Sequence, residues 1–207
     1  MKTKENMHQD YIRIMAEAHK WYSRNPLVSY HSYDHALNTL NAASTLMQFV
    51  NPVIPEVLIA SIWHDAVFIP GSSCNEQASA DALMYEWTRS DKSLSDNDSV
   101  IVRACYMIRN TRVSDHLFET FPDEYLNILL DADLSSLASN YDAFIINNKN
   151  LSQENNQSGI DNHIEWLSNF IKIRYGQHRN IYRTSRAVDL WENKARANIH
   201  RYIEENK

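Results

Sequence analysis

Histidine and aspartate side chains of this chain are of the types that bind a divalent metal ion, and each lies at one end of a strongly apolar stretch. They are His35, His64, Asp65 and either Asp131 or Asp133. A metal site needs neutral imidazoles and ionised carboxylates from several rigid elements. Charged groups beside a core also need partners. The sequence therefore predicts that these residues converge on one ion, with two candidates for the last carboxylate.

Helices are the elements that must position these side chains. The chain has only three glycines in 207 residues, and its apolar residues recur mostly at three- and four-residue spacing, which favours an all-α fold. A chain of this length can bury a substantial core as one domain, so we predict a single-domain helical bundle over residues 1–207. The apolar stripes predict helices over approximately 6–22, 32–50, 55–63, 75–87, 100–110, 123–130, 141–146, 160–175 and 185–205.

Two segments are expected to differ from the rest of this bundle. Residues 1–24 should contain an N-terminal helix packed against it. Residues 147–158 are rich in asparagine, glutamine and serine, a composition that gives little reason for packing. We therefore predict a mobile loop over 147–158.

Composition excludes several classes of function. The net charge of −6 argues against general nucleic-acid binding. Basic residues are more frequent toward the C-terminus, where they could form either a local anion-binding patch or an ordinary solvated helix face. No apolar run approaches the 18 or so residues that cross a bilayer, so no membrane span is expected. Two cysteines are too few to predict a disulfide framework. The N-terminus lacks the apolar segment of a signal peptide, so a cytoplasmic protein is expected.

Several motifs occur in a fixed order along the chain. They are Tyr30-His31-Ser32-Tyr33-Asp34-His35, Ile62-Trp63-His64-Asp65, Asn75-Glu76-Gln77-Ala78-Ser79-Ala80, Leu130-Asp131-Ala132-Asp133-Leu134-Ser135, and, near the C-terminus, Ile181-Tyr182-Arg183-Thr184 and Ala195-Arg196-Ala197-Asn198. The first four resemble the HD superfamily of metal-dependent phosphohydrolases, and the last two resemble an uncharacterised bacterial branch of it. The resemblance covers the chain from about residue 22 onward. The chain differs from that branch at Ser29, where the branch usually has an arginine.

The resemblance implies an HD-type helical domain that hydrolyses a phosphate ester, a nucleotide being one candidate, by a metal-activated water. Its metal ligands would be His35, His64, Asp65 and Asp133, with Asp131 as the fallback for the last. Asp65 would thereby also be a catalytic residue. Two histidines and two carboxylates suit Mn, Co, Ni, Fe, Zn or Mg. The partner implied is a small phosphorylated substrate.

Other positions take roles from the same resemblance. His31 matches a histidine that protonates the leaving oxygen in the related cyclic-nucleotide phosphodiesterases, while helix capping or support of His35 is the alternative. Glu76 matches an acid that orients water or a substrate group, while interaction with the helix dipole is the alternative. Thr111 and His116 lie where the family has polar pocket residues, and are expected to contact substrate.

Two further functions remain open from the sequence. One is a catalytically silent ligand-binding or regulatory module that keeps the pocket without turnover. The other is a di-iron oxygenase, which would need two more histidines between Asp65 and the last aspartate. His116 is the one histidine available there, so this reading is disfavoured.

Overall fold

The described residues of the computed structural model are 4–24, 28–48, 54–90, 98–112, 123–157, 163–175 and 180–206, and within them the chain is helical, with no strand. The helices are α1 (Lys4–Tyr22), α2 (Tyr33–Met47), α3 (Pro55–Trp63), α4 (Asn75–Ser90), α5 (Ser99–Arg109), α6 (Glu124–Asp133), α7 (Tyr141–Gln157), α8 (His163–Tyr175) and α9 (Asn193–Glu205). A 3-10 turn (Leu134–Ala138) follows α6, and a short turn (Ser185–Ala187) and a π-helical stretch (Val188–Glu192) lead into α9. The all-α prediction is confirmed.

Helix α3 is the central element of the bundle. It begins with Pro55, whose missing N–H costs nothing at a helix start, and it packs against α1, α2, α5 and α6. Trp63 is fully buried at its end, and its indole Nε1 donates to the carbonyl of Ile14 in α1 at 3.0 Å. Because α3 is apolar on nearly every side, the residues that follow it, His64 and Asp65, are placed inside the protein.

Helix α1 packs along one side of this core. Its buried residues Tyr11, Ile14 and Ala18 recur at helical spacing, and the helix contacts α3 and α4. Buried apolar residues from α1 to α9 belong to one hydrophobic cluster. Of the helices that the structure describes, none is both long and apolar enough to cross a membrane.

The segment 147–158 was predicted as a mobile loop. Residues 147–157 instead continue α7, so the loop assignment is wrong for these residues. Residue 158 lies outside the described residues. Although residues 147–157 are mostly polar, helix α7 has one face on which Phe144, Asn148, Leu151 and Glu154 recur every three or four residues. Three of them are buried, and Asn148 Nδ2 donates to the Phe144 carbonyl at 2.9 Å. Composition alone therefore misled the prediction.

The C-terminal part of the chain holds the turn that follows α6. Asn198 Nδ2 on α9 donates to the carbonyls of Leu137 and Ser139, both at 2.9 Å. Tyr182 donates its hydroxyl to the carbonyl of Leu134 at 3.1 Å. These bonds fix the backbone immediately after Asp133, and so help to set the end of α6.

Candidate metal centre

Four side chains from three helix ends meet in the interior. His35 lies in the first turn of α2, His64 and Asp65 follow α3, and Asp133 is the last residue of α6. The hydroxyl of Ser32 caps α2 by accepting from the His35 backbone N–H at 3.4 Å. One nitrogen or carboxylate oxygen from each of the four lies within 4.8 Å of the others. The predicted convergence of these residues is confirmed.

The distances inside this cluster are short. His35 Nε2 lies 2.9 Å from Asp133 Oδ1, and His64 Nε2 lies 2.8 Å from Asp65 Oδ2 and 3.2 Å from Asp133 Oδ1. The two Nε2 atoms are 3.3 Å apart. Two imidazole nitrogens and two carboxylate oxygens thus face a common centre, as the ligands of one ion would.

The other ring nitrogen of His64, Nδ1, makes a hydrogen bond outside the cluster. Its Nδ1 lies 2.9 Å from the carbonyl oxygen of Ser61, which can only accept a hydrogen bond, so Nδ1 carries a proton. When the imidazole is neutral, its Nε2 lone pair therefore points into the cluster. A backbone acceptor on the far nitrogen is how histidine ligands are oriented toward metals.

The pKa values of the cluster residues are shifted by the charges of their neighbours. Burial raises the pKa of Asp65 and of Asp133, but the charge of His64 and hydrogen bonds from the imidazoles outweigh it, so both pKa values lie below their usual range. Burial lowers the pKa of His64, but the charges of both carboxylates outweigh it and hold that pKa well above its usual value. Two ionised carboxylates thus lie together in a largely buried cluster, with the His64 proton as counter-charge. A divalent cation could take the place of that proton, and the donor set fits one.

Asp131 lies elsewhere. Its carboxylate is fully buried and accepts from the backbone N–H groups of Arg183 at 2.8 Å and Thr184 at 2.7 Å, and from the Thr184 hydroxyl at 2.7 Å. Burial raises its pKa despite these bonds, which lower it. The structure therefore assigns Asp131 to anchoring the C-terminal segment, and Asp133 to the cluster.

We expect Asp131→Asn to destabilise the fold without removing any residue of the cluster. The amide NH₂ would replace one carboxylate oxygen, so N–H and O–H groups that now donate to Asp131 would lose an acceptor. A lost buried hydrogen bond to a charged group costs about 2–3 kcal/mol. At this chain length that lowers the Tm by roughly 4–12 °C. An unchanged Tm by calorimetry would contradict this role.

A third imidazole, that of His31, is held beside the cluster by Glu154 of α7. His31 Nδ1 lies 2.5 Å from Glu154 Oε2, and Glu154 Oε1 accepts from the backbone N–H groups of Ser29, Tyr30 and His31 at 2.6, 2.5 and 3.3 Å. A carboxylate oxygen can only accept, so Nδ1 donates. This leaves Nε2 as the ring nitrogen available for chemistry.

The charges around His31 act on both members of this pair. Burial lowers the pKa of His31, whereas the charges of Asp65 and Glu154 and the hydrogen bond to Glu154 raise it, and the net pKa is above its usual value. Burial raises the pKa of Glu154, but its bond to His31 outweighs this and lowers it. Both shifts favour an imidazolium held by a carboxylate, which is the protonation state that a general acid needs.

Phe68 packs against one face of the His31 ring. The two rings stack with centroids 3.7 Å apart and planes 14° from parallel. Phe68 is held by backbone bonds on both sides: Val67 N donates to Ser79 Oγ and Ile69 N donates to Asn75 Oδ1, each at 3.0 Å. The first residues of α4 thus position the loop that follows Asp65.

A cavity of about 350 Å³ opens beside the cluster. Its volume lies in the range of small-molecule sites. The polar or charged residues that line it are Tyr30, His31, Glu76, Asp133, Ser136 and Asn148. A molecule in this cavity would therefore touch one residue of the cluster, Asp133, and the candidate acid His31.

The remaining predicted site residues have different outcomes. Glu76 lies in the first turn of α4 and lines the cavity. Thr111 is buried after α5, where its hydroxyl donates to the carbonyl of Ile108 at 2.8 Å, and it is not among the described residues that line this cavity. This bond satisfies the Thr111 hydroxyl at the end of α5, and the predicted substrate contact stays a prediction. His116 lies outside the described residues.

Sequence reasoning missed Glu154, because it falls in the segment that was predicted as a loop. A signal was present in the sequence. Phe144 and Leu151 alternate with polar residues at helical spacing, and Glu154 continues the same face three residues after Leu151. An acid on the buried face of a helix needs a partner, and here the partners are His31 and the backbone of Ser29 and Tyr30.

Comparison with family models, with curated proteins and with solved structures finds no match to this chain.

Proposed function

We propose that this protein is a metal-dependent phosphohydrolase with an HD-type site that hydrolyses a phosphate ester. The observation that supports this most is the juxtaposition of two groups: the cluster of His35, His64, Asp65 and Asp133, and an imidazole held by Glu154 at the edge of the same cavity. The first can hold a divalent ion and the second can deliver a proton. Hydrolysis of an alkyl phosphate by this route uses both.

The four clustered residues would hold the ion, whose identity among Mn, Co, Ni, Fe, Zn and Mg the donor set does not fix. When bound, it would supply Lewis acidity, which activates water near neutral pH and neutralises charge on phosphoryl oxygens. The residues of the chain would bind the ester and donate the proton that the leaving oxygen takes up.

His31 acts in this scheme as the general acid. Water attacks phosphorus, the bond between phosphorus and the ester oxygen breaks, and the electron pair stays on that oxygen. The proton on His31 Nε2 moves to it, while the attacking water loses one proton to solvent. His31 is then reprotonated from solvent, and the products are an alcohol and phosphate. Glu154 keeps the ring charged and fixes its direction, and Phe68 prevents it from turning.

Glu76 is the second acid of the cavity. As an ionised carboxylate it can accept a hydrogen bond from an entering water or from a substrate hydroxyl, and so orient either one. Its position at the start of α4 also places it near the positive end of the helix dipole.

A ligand-binding module without turnover is the second candidate, and the apolar wall of the cavity supports it, because apolar walls favour binding whether or not a reaction follows. A di-iron oxygenase has less support. The described residues contain one four-residue group that could hold a metal.

The proposal is tested by metal analysis and a substrate screen. The purified protein is expected to contain about one divalent ion per chain, since four residues converge on one centre. After chelation and reloading with each of the six metals, at least one form should hydrolyse phosphate esters from a panel that includes nucleotides. Chelation should abolish the activity and metal should restore it. A fully loaded protein that hydrolyses no member of the panel would favour the binding module.

A further inference from the structure

We propose, on the basis of the proposed function, that the substrate is a monoester with a single phosphate and a flat, apolar ring system. The ring would stack on Trp166 while the phosphate lies at the Asp133 end of the cavity. The apolar wall, an aromatic stack and the distribution of charge support this substrate class.

The wall of the cavity is largely apolar. The side chains that form this part are Phe68, Leu137, Leu151, Trp166, Leu167 and Phe170. They come from the loop after Asp65, from the turn after α6, and from α7 and α8. A small polar alcohol such as glycerol would leave this surface against water, whereas a ring system would cover it, which is favourable.

Trp166 provides a preformed platform. Its ring lies nearly parallel to that of His163, with centroids 5.6 Å apart at 17°, and to that of Phe170, at 6.0 Å and 16°. Centroid distances this long mean offset stacking, which leaves part of the indole uncovered. Trp166 nevertheless remains 36% exposed, although it is among the largest side chains of the protein. An aromatic ring held by its neighbours loses little freedom when a ligand stacks on it, and flat rings stack favourably.

Polar groups in this part of the cavity are already satisfied within the protein. Asn148 Oδ1 lies 3.1 Å from His163 Nε2, and Asn148 Nδ2 donates to the Phe144 carbonyl. The hydroxyls of Tyr30 and Ser136 bond to each other at 2.9 Å. The organic part of the ligand is therefore not required to satisfy a buried polar group, and apolar atoms fit this region without leaving one unpaired.

The charges allow one phosphate. Among the described residues that line the cavity there is no lysine or arginine, and the charged side chains are His31, Glu76 and Asp133. A single phosphate would be matched by the ion and by His31. A second phosphate would add negative charge to a cavity that already contains Glu76, with no lysine or arginine among these described lining residues to match it, and an unpaired charge in such a site is costly.

The test separates recognition from turnover by using phosphonates, which cannot be hydrolysed at the same position. Binding of 1-naphthylphosphonate and methylphosphonate to the metal-loaded protein is measured by calorimetry. We expect the naphthyl compound to bind at least about 10-fold more tightly, and Trp166→Ala to remove most of that preference. Trp166→Phe should keep part of it. Tyr106→Ala, an exposed aromatic residue of α5 outside the lining, is the control and should keep all of it.

Equal binding of the two phosphonates, or a preference that survives in Trp166→Ala, would overturn the inference, as would binding of neither compound. With metal in excess, ATP should compete with 1-naphthylphosphonate about 10-fold more weakly than AMP, because each further phosphate adds unmatched charge. Competition by ATP equal to that by AMP would overturn the restriction to one phosphate.

Hydrolysis of 1-naphthyl phosphate and glycerol phosphate then distinguishes this inference from the proposed function. If neither ester is hydrolysed while the naphthyl preference and its loss in Trp166→Ala are observed, the hydrolase proposal fails and the recognition inference stands. If both esters are hydrolysed with the same kcat/KM, and the phosphonates bind equally, the hydrolase proposal stands and the recognition inference fails.

Discussion

Asp133→Asn is expected to abolish tight binding of the metal ion and to reduce ester hydrolysis by roughly 10³-fold. The substitution removes one of two anionic ligands from a buried cluster and leaves an amide oxygen, a much weaker ligand. Asp133 also lies within 3.2 Å of both imidazoles, so its loss removes the group that the two histidines share. If the ion contributes about 4 kcal/mol to the transition state, its loss corresponds to the stated factor.

The matched control is the same substitution two residues earlier. Asp131→Asn changes a carboxylate of the same helix that bonds to Arg183 and Thr184 and not to the histidines. It should keep its metal and lower the Tm, whereas Asp133→Asn should lose its metal and remain folded. Metal content by elemental analysis and unfolding by calorimetry measure both effects. Full metal content in a folded Asp133→Asn protein would refute the assignment of the last ligand.

Glu154→Gln should produce the second large effect, and it should depend on the leaving group. The amide oxygen of glutamine can still accept from the backbone N–H groups of residues 29–31, but its NH₂ donates where the carboxylate accepted. His31 would then become a neutral ring whose Nδ1 accepts, and a neutral imidazole is a far weaker acid. We expect kcat for an alkyl phosphate to fall by about 10²–10³-fold, within the range of general acid catalysis.

An aryl ester with a good leaving group, such as 4-nitrophenyl phosphate, needs little protonation, so its hydrolysis by Glu154→Gln should change less than about 5-fold. His31→Ala should show the same selectivity, and the double variant should be no worse than either single one. Metal content should not change. Glu204→Gln, an exposed acid on α9, is the control. Equal losses for both esters would exclude the role of Glu154 in positioning the acid.

Local sequence patterns predicted most of the helices correctly. The apolar stripe of α1, the proline at the start of α3 and the serine before α2 are short-range signals, because each acts within about one or two turns of its own helix. The same signals predicted where the candidate ligands would occur, since polar residues at the end of a buried helix need partners. The failure at 147–157 arose because composition was weighed above spacing.

The sequence by itself determined the helical class of the fold and a set of five residues from which the cluster is drawn. It could not decide between Asp131 and Asp133 from the residues alone. Both follow the same apolar run, and residues two apart on a helix point roughly 200° away from each other, so only one of them can face the histidines. The choice depends on which side of α6 packs against α2 and α3.

Only the tertiary structure decided the surroundings of that cluster. Glu154 reaches His31 across 123 positions of sequence, and Trp166 joins the cavity from another helix. Such contacts are fixed by how whole helices pack, and no local pattern encodes the partner of a buried charge. The sequence therefore specified which groups could do chemistry, while packing determined which of them meet, because burial makes each charge depend on a partner that a distant helix must supply.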